Sequence, residues 1–468
     1  MSCHRMTFVV PFFVAAALIG GDHAAAQFQA SVGAVTQQAF VVGVIPVVGN
    51  GTVGGVAIDA NGVMAKAEER DVAALRDARR NAMSGLAGDV TKKSALRKIS
   101  LRRLDALLAR HVSRNEPLSA EVLYLAGLQR VEYVFAYPDS HDIVLAGPAE
   151  GWTVDDRGHV VGTNSKAAVL HLVDLIAALR TKDRMRAGQI ISCSIDPTAA
   201  GLKQFARLTR GNRLSPSPQL LRQMEQAVGP QTITLSGVAP ESHFAQVLVA
   251  ADWQMKRIGM GLVPSPVNGL TSYLELLNDE PRSATRNPLP RWWIAYGKQP
   301  VERDADGLGW RIARPGIQVC TAAGRMGPDG RISTHSESDP TATKWADSMT
   351  ARYDQLALVE PVFGQLRGCM DLALVTAVLA SSDLLTHVHL ELPMLLDAKR
   401  LKLAAHRIPK NIASHASALR RGHTWVVSVS GGVELDVPRV VNAAELQVEV
   451  REAWGHASPK RSESWWWD

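Results

Sequence analysis

Between residues 189 and 259 the chain alternates β-rich and helical segments, and this order restricts the fold more than any other stretch. Residues 189–195 (QIISCSI) read as a strand, after which Asp196-Pro197-Thr198 supplies a cap and an early proline for a helix running to residue 208. A short helix over 220–228, a strand over 232–238 and a helix over 243–258, closed by Gly259 or Gly261, follow. Helices that alternate with strands bury their apolar faces on a sheet, which predicts an α+β or α/β fold, a mixed sheet with helices packed on it.

The flanks extend that pattern. Residues 133–137 and 143–146 predict a hairpin around a Pro-Asp-Ser-His-Asp cluster, and Asp155-Asp156-Arg157-Gly158 predicts a turn into a strand at 159–161. Residues 170–180 carry a 3.6-residue apolar period and predict a helix. Downstream come an aromatic strand at 291–296 and a hairpin from 317–322 with its turn at 327–330. Helical stretches at 343–358 and 362–379 and strands at 424–429 and 433–435 complete a helix-rich C-terminal region with short hairpins. With 46% hydrophobic and 21% charged residues, 468 residues leave room for two or three compact domains. The expected division is a signal peptide (1–26), a Gly/Val-rich linker or first strand (27–55), an N-terminal hairpin and helices (56–118), a central α/β domain (119–290), an aromatic-strand and helical region (291–450) and a mobile tail (451–468).

The signal assignment rests on Arg5 before an apolar run at residues 8–19, then Ala24 and Ala26 ahead of Gln27. Cleavage near Ala26/Gln27 would leave an exported protein, periplasmic or extracellular. The run at 372–380, preceded by Arg367 and Asp371, reads as a buried helix rather than a span. Cys193, Cys320 and Cys369 all lie in apolar surroundings and read as reduced core residues.

At YVFAYPDSHDIVLAGPAEGW, ISCSIDPTAAGL and SHFAQVLVAADWQMKRIGMGL the sequence resembles a family of exported bacterial proteins typical of planctomycetes, defined only as a domain of unknown function. The resemblance runs from about residue 55 to residue 438, with GVAPESHFAQVLVAADWQMKRIGMGL its most specific stretch. It implies an exported envelope protein and brings no activity, cofactor or catalytic residue.

The formal charge is +6, and loss of Arg5 and Asp22 with the signal leaves it basic. In an exported chain this favours an anionic polysaccharide or membrane surface over nucleic acid. Residues 92–111 read as a basic helix carrying Lys92, Lys93, Arg97, Lys98, Arg102 and Arg103, and Trp465, Trp466 and Trp467 close the tail. The first functional expectation is therefore a non-catalytic envelope binding or scaffold protein that requires no cofactor, with these residues as its contact surface.

The second expectation is a secreted hydrolase. Strand ends and helix starts of α/β layers face a common crevice, which would bring Asp196, Thr198, His243 and Asp252 together as an acid/base site. A third constellation is His387, His389 and Glu391, spaced at two. On a strand they would share one face and suit Zn²⁺; on a helix they diverge. Asp371, buried among apolar residues, needs a partner, and Arg367 four residues earlier is the local one.

Overall fold

A computed structural model describes residues 88–210, 217–279, 288–298, 301–313, 316–326, 332–334, 339–406, 408–418, 425–427, 430–459 and 464–468, together with short pieces between 41 and 81. The expected signal peptide, most of the 27–55 segment, most of the helix expected to follow it and the 327–330 turn lie outside the described residues.

Two seven-stranded mixed sheets organise the chain. The first runs in the order Ile332–Thr334, Ile317–Met326, Pro288–Tyr296, Ser430–Leu435, Ile191–Pro197, Gln231–Ser236 and Asn411–Ile412. Its neighbours are antiparallel except Pro288–Tyr296 and Ser430–Leu435, which pair in parallel. The second runs Glu445–Leu446, Val301–Arg303, Gly309–Ile312, Tyr133–Tyr137, Asp142–Ala149, Ser94–Ser100 and Trp466–Trp467. The expected hairpin is there, with Tyr137 opposite Asp142. Each sheet draws strands from both sides of residue 290, so no domain boundary falls there, and residues from Ala39 to Asp468 form one compact unit.

Helix Pro361–Ser381 is the centre of the core and packs on Leu172–Leu179, Lys182–Arg186, His243–Gly259 and Val437–Asn442. It is apolar on all sides, as a helix enclosed by other helices must be. It is long and apolar enough to cross a membrane, yet 94% of its most apolar stretch is buried inside the protein, as expected of a core helix. Its Asp371 is not served by Arg367. Arg130 holds both carboxylate oxygens at 2.9 Å, whereas Arg367 turns outward to Asp354 at 2.6 Å. A buried carboxylate needs both lone-pair sets satisfied, and a guanidinium fork from another element does this better than one on the same helix.

Helix His243–Gly259 lies across strands Ile191–Pro197, Ser430–Leu435 and Pro288–Tyr296. The strand Ile191–Pro197 alternates as the sheet requires, Ile191, Cys193 and Ile195 inward. All three described cysteines are free, Cys193 and Cys369 buried and Cys320 partly so.

The segment 92–111 departs from expectation. Ser94–Ser100 is a strand, and Ser100 caps a helix that begins at Leu101 and ends at Arg114. Leu, Arg and Lys favour a helix, but strand pairing on both edges, to Asp142–Ala149 and to Trp466–Trp467, outweighs that weak preference. The last residues are likewise held: Trp466 and Trp467 form the edge strand, and Asp468 pairs with Arg97 at 2.8 Å.

Candidate functional site

The residues expected to form an acid/base crevice do not meet. Asp196 accepts from Ser430 Oγ at 2.5 Å, and Thr198 caps helix Ala199–Thr209, accepting from Gly201 N at 3.0 Å. Asp252 stands nine residues along the helix from His243, a rise of about 13 Å, and pairs with Lys256 at 2.9 Å. This pair is buried, and Lys256 also donates to the carbonyls of Ile195 and Gly431. Gly431 has φ 134°, and a side chain there would collide with the Trp292 backbone. His243 has a different carboxylate, Asp174.

The other expected sets are dispersed too. His387 ends the short helix Leu384–His387, His389 has φ 52°, and with Glu391 all three face solvent. Helix and turn replace the strand that would have aligned them, and they form no metal-sized group among the described residues. Of the basic set, Lys92, Lys93 and Arg102 are exposed and Arg103 half-buried. Lys98 is buried, and Arg97 is fully buried, donating to the carbonyls of Val90, Ala126 and Lys92. Trp465 and Trp467 are buried, and Trp466 lies under the Arg97 guanidinium, 4.6 Å from the ring centroid. A stripe that becomes a central strand cannot keep all its charges on one surface.

What the fold does bring together is His171, Asp174, His243 and His406. His171 is the residue before helix Leu172–Leu179, and Asp174 lies in that helix's first turn. His243 opens its own helix behind the Ser242 cap, whose side chain accepts from Ala245 N at 3.1 Å. His406 comes from an irregular segment tied to the same helix start, its N–H donating to Glu241 O at 2.7 Å. The ring centroids of His171 and His243 are 5.0 Å apart, those of His243 and His406 5.3 Å. Among the described residues, His171, Asp174 and His243 are the group of potential ligands whose donor atoms all lie within 4.8 Å of one another.

Hydrogen bonding orients these rings. His243 Nδ1 lies 2.9 Å from both Asp174 oxygens, and His406 Nδ1 lies 3.0 Å from Gln246 Oε1. Both partners are acceptors, so Nδ1 carries a proton in each ring and Nε2 is the nitrogen turned away from that bond. The Nε2 atoms of His171 and His243 are buried and have no hydrogen-bond partner among the described residues. Burial, reinforced by the neighbouring His243 and by the Arg79 charge, holds His171 far below the usual imidazole range, and the same causes push His406 down to about 3. These two rings are neutral at physiological pH, the form in which imidazole binds a metal. Arg79, whose Nη1 donates to Gly158 O at 2.5 Å, also has a buried Nε without a partner.

His171 and Asp174 carried a usable signal: two polar residues three apart at the start of an otherwise apolar helix share a face and need a partner. His406 carried none, because its place depends on contacts with residues 160 or more positions away.

A family described as "Protein of unknown function (DUF1598)" matches residues 193–273. That stretch contains His243 but neither His171, Asp174 nor His406. No curated protein and no solved structure matches the chain.

Proposed function

We propose that this is an exported metal-binding protein that holds a divalent transition metal, Zn²⁺ foremost, through Nε2 of His171 and His243, already within metal-binding reach, and of His406, whose ring must move in to complete the set. Asp174 and Gln246 act behind His243 and His406, fixing the tautomer and orientation of each ring. Export is read from residues 1–26. The observation that carries the proposal is the pair of buried Nε2 atoms on His171 and His243, close to one carboxylate and without partners among the described residues. An unpaired buried polar nitrogen costs about 1–3 kcal/mol, so a fold that keeps two together gains from what they bind.

Ring separations of 5.0 and 5.3 Å match imidazoles sharing one tetrahedral ion, which at a Zn–N bond of about 2.0–2.1 Å sit about 5 Å apart. His171 and His243 are near parallel, at 22°, so closing on an ion requires one ring to tilt. Imidazole suits Zn²⁺, Cu²⁺ and Ni²⁺ and disfavours Ca²⁺ and Mg²⁺. The test is a zinc titration of the purified protein followed by calorimetry and by melting temperature. One equivalent should bind and raise the melting temperature, chelator should reverse the rise, and His243→Ala should lose both effects. Absence of zinc binding by the wild-type protein would overturn the proposal.

The anionic partner expected from net charge has no continuous basic face in residues 92–103 to dock on. Within that segment only Lys92, Lys93 and Arg102 are exposed to meet an anionic surface.

A further inference from the structure

A cleft of about 470 Å³ opens beside the histidine centre, a size that suits a small organic ligand. Arg180, Arg184 and Lys402 line it, against a single acid, Glu241. Arg180 is committed to the fold, donating to the carbonyls of Leu395, Asp397 and Leu401. Arg184 and Lys402 are exposed, and their side chains have no partner among the described residues.

Three walls of this cleft are the three segments that build the histidine centre. Ala177 lies three residues beyond Asp174 on the same helix, Ser242 immediately precedes His243, and Ala404 lies two residues before His406. A ligand in the cleft is therefore about one helical turn from the centre along each of three separate strands of chain. The start of helix His243–Gly259, where backbone N–H groups point outward, forms part of the same wall and adds partial positive charge. A dication bound at the centre, together with Asp174 and the Arg79 charge that bears on His171, would leave a net positive charge that an anion offsets.

We infer that the cleft binds a small organic oxyanion, a carboxylate or a phosphate on a sugar-sized body, and holds it beside the metal. The placement beside a metal rests on the metal-binding reading; anion binding in the cleft does not. Arg184 and Lys402 make the charge contacts, and Arg180 holds the wall in place.

The experiment is isothermal titration of the purified protein, zinc-loaded and chelated, with glucuronate, inorganic phosphate and uncharged glucose. Glucuronate or phosphate should bind and glucose should not, and whichever anion binds identifies the chemistry. The double variant Arg184→Ala with Lys402→Ala should weaken that binding at least tenfold while zinc affinity stays within twofold of wild type. Failure of both anions to bind, or equal binding by the double variant, overturns the inference. Failure of zinc to bind sinks the metal reading alone, since anion binding to the chelated protein and its loss in the double variant are still read. Zinc affinity that falls with the double variant would mean that the two residues support the fold of the centre, and would likewise overturn their assignment as anion contacts.

Discussion

Lys256 and His243 sit near opposite ends of one helix, both buried, and differ in what surrounds their nitrogens. The Lys256 ammonium has three protons and three acceptors, Ile195 O at 2.7 Å, Asp252 Oδ2 at 2.9 Å and Gly431 O at 3.2 Å. His243 has one nitrogen satisfied twice by Asp174 and the other by nothing. The first arrangement is closed: every ammonium proton is used, two tying the helix to two strands of the first sheet and one to Asp252 on the helix itself. The second is open, with an unpaired ring nitrogen on each of two adjacent imidazoles. Buried charge by itself therefore does not mark a site in this protein. Two unpaired imidazole nitrogens gathered beside a carboxylate make the stronger candidate.

That contrast breaks first at Lys256. Replacing Lys256 with Met keeps much of the volume and strands Asp252, which should cost about 3–5 kcal/mol in urea unfolding at pH 8. Burial already pushes the wild-type Asp252 carboxyl up to about 6. An acid raised in the folded state is ionised first in the unfolded chain, so its effect is a stability that declines as pH rises from about 4 through 6. Without the ammonium the carboxyl rises further, and the loss in Lys256→Met should be smaller at pH 5 than at pH 8. Zinc affinity should not change. A variant that unfolds no more easily than wild type at pH 8, or that loses zinc with its stability intact, would show that the two ends of the helix are not separate devices.

The two ends were unequally legible in the sequence. Period and capping residues located the helix itself: Ser242, the apolar run and the glycines set its bounds at 243–259, close to the expected 243–258. The Asp252 and Lys256 spacing was visible as well, but their burial was not, because a four-residue spacing looks alike on an exposed face and under a sheet. His243 was singled out, and given Asp196 as a partner on the rule that strand ends and helix starts share a crevice. The carboxylate it meets lies on another helix, Leu172–Leu179, that packs directly on this one, and local pattern says nothing of which helices become neighbours. Residues 92–111 failed for a related reason. Arg97 and Lys98 are helix formers drawn into a strand by pairing partners as distant as Trp466.

At the open end the expected effects move from stability to metal affinity. Asp174→Asn keeps the shape and one acceptor oxygen but removes the charge behind His243. Zinc affinity should fall 10–100-fold, as is usual when the group behind a ligating histidine is replaced. Unfolding free energy should drop by only about 1 kcal/mol, the net worth of one hydrogen bond. A calorimetric zinc titration alongside urea unfolding separates the two, and a large stability loss with unchanged affinity would return the cluster to the same closed class as Lys256.

The smallest effect sharpens the comparison within the site. His406 is only partly buried, and its Nδ1 is held by a neutral amide where His243 is held by a carboxylate. A neutral acceptor raises ring basicity less than a charged one, and charge-assisted bonds are roughly twice as strong. Gln246→Leu should therefore weaken zinc binding by less than tenfold, with some stability lost through the other contacts Gln246 makes. If this variant instead matches Asp174→Asn, His406 rather than His243 is the ligand on which the centre depends. The metal would then enter from the His406 side, where the chain is open to solvent and adjoins the basic cleft at Ala404.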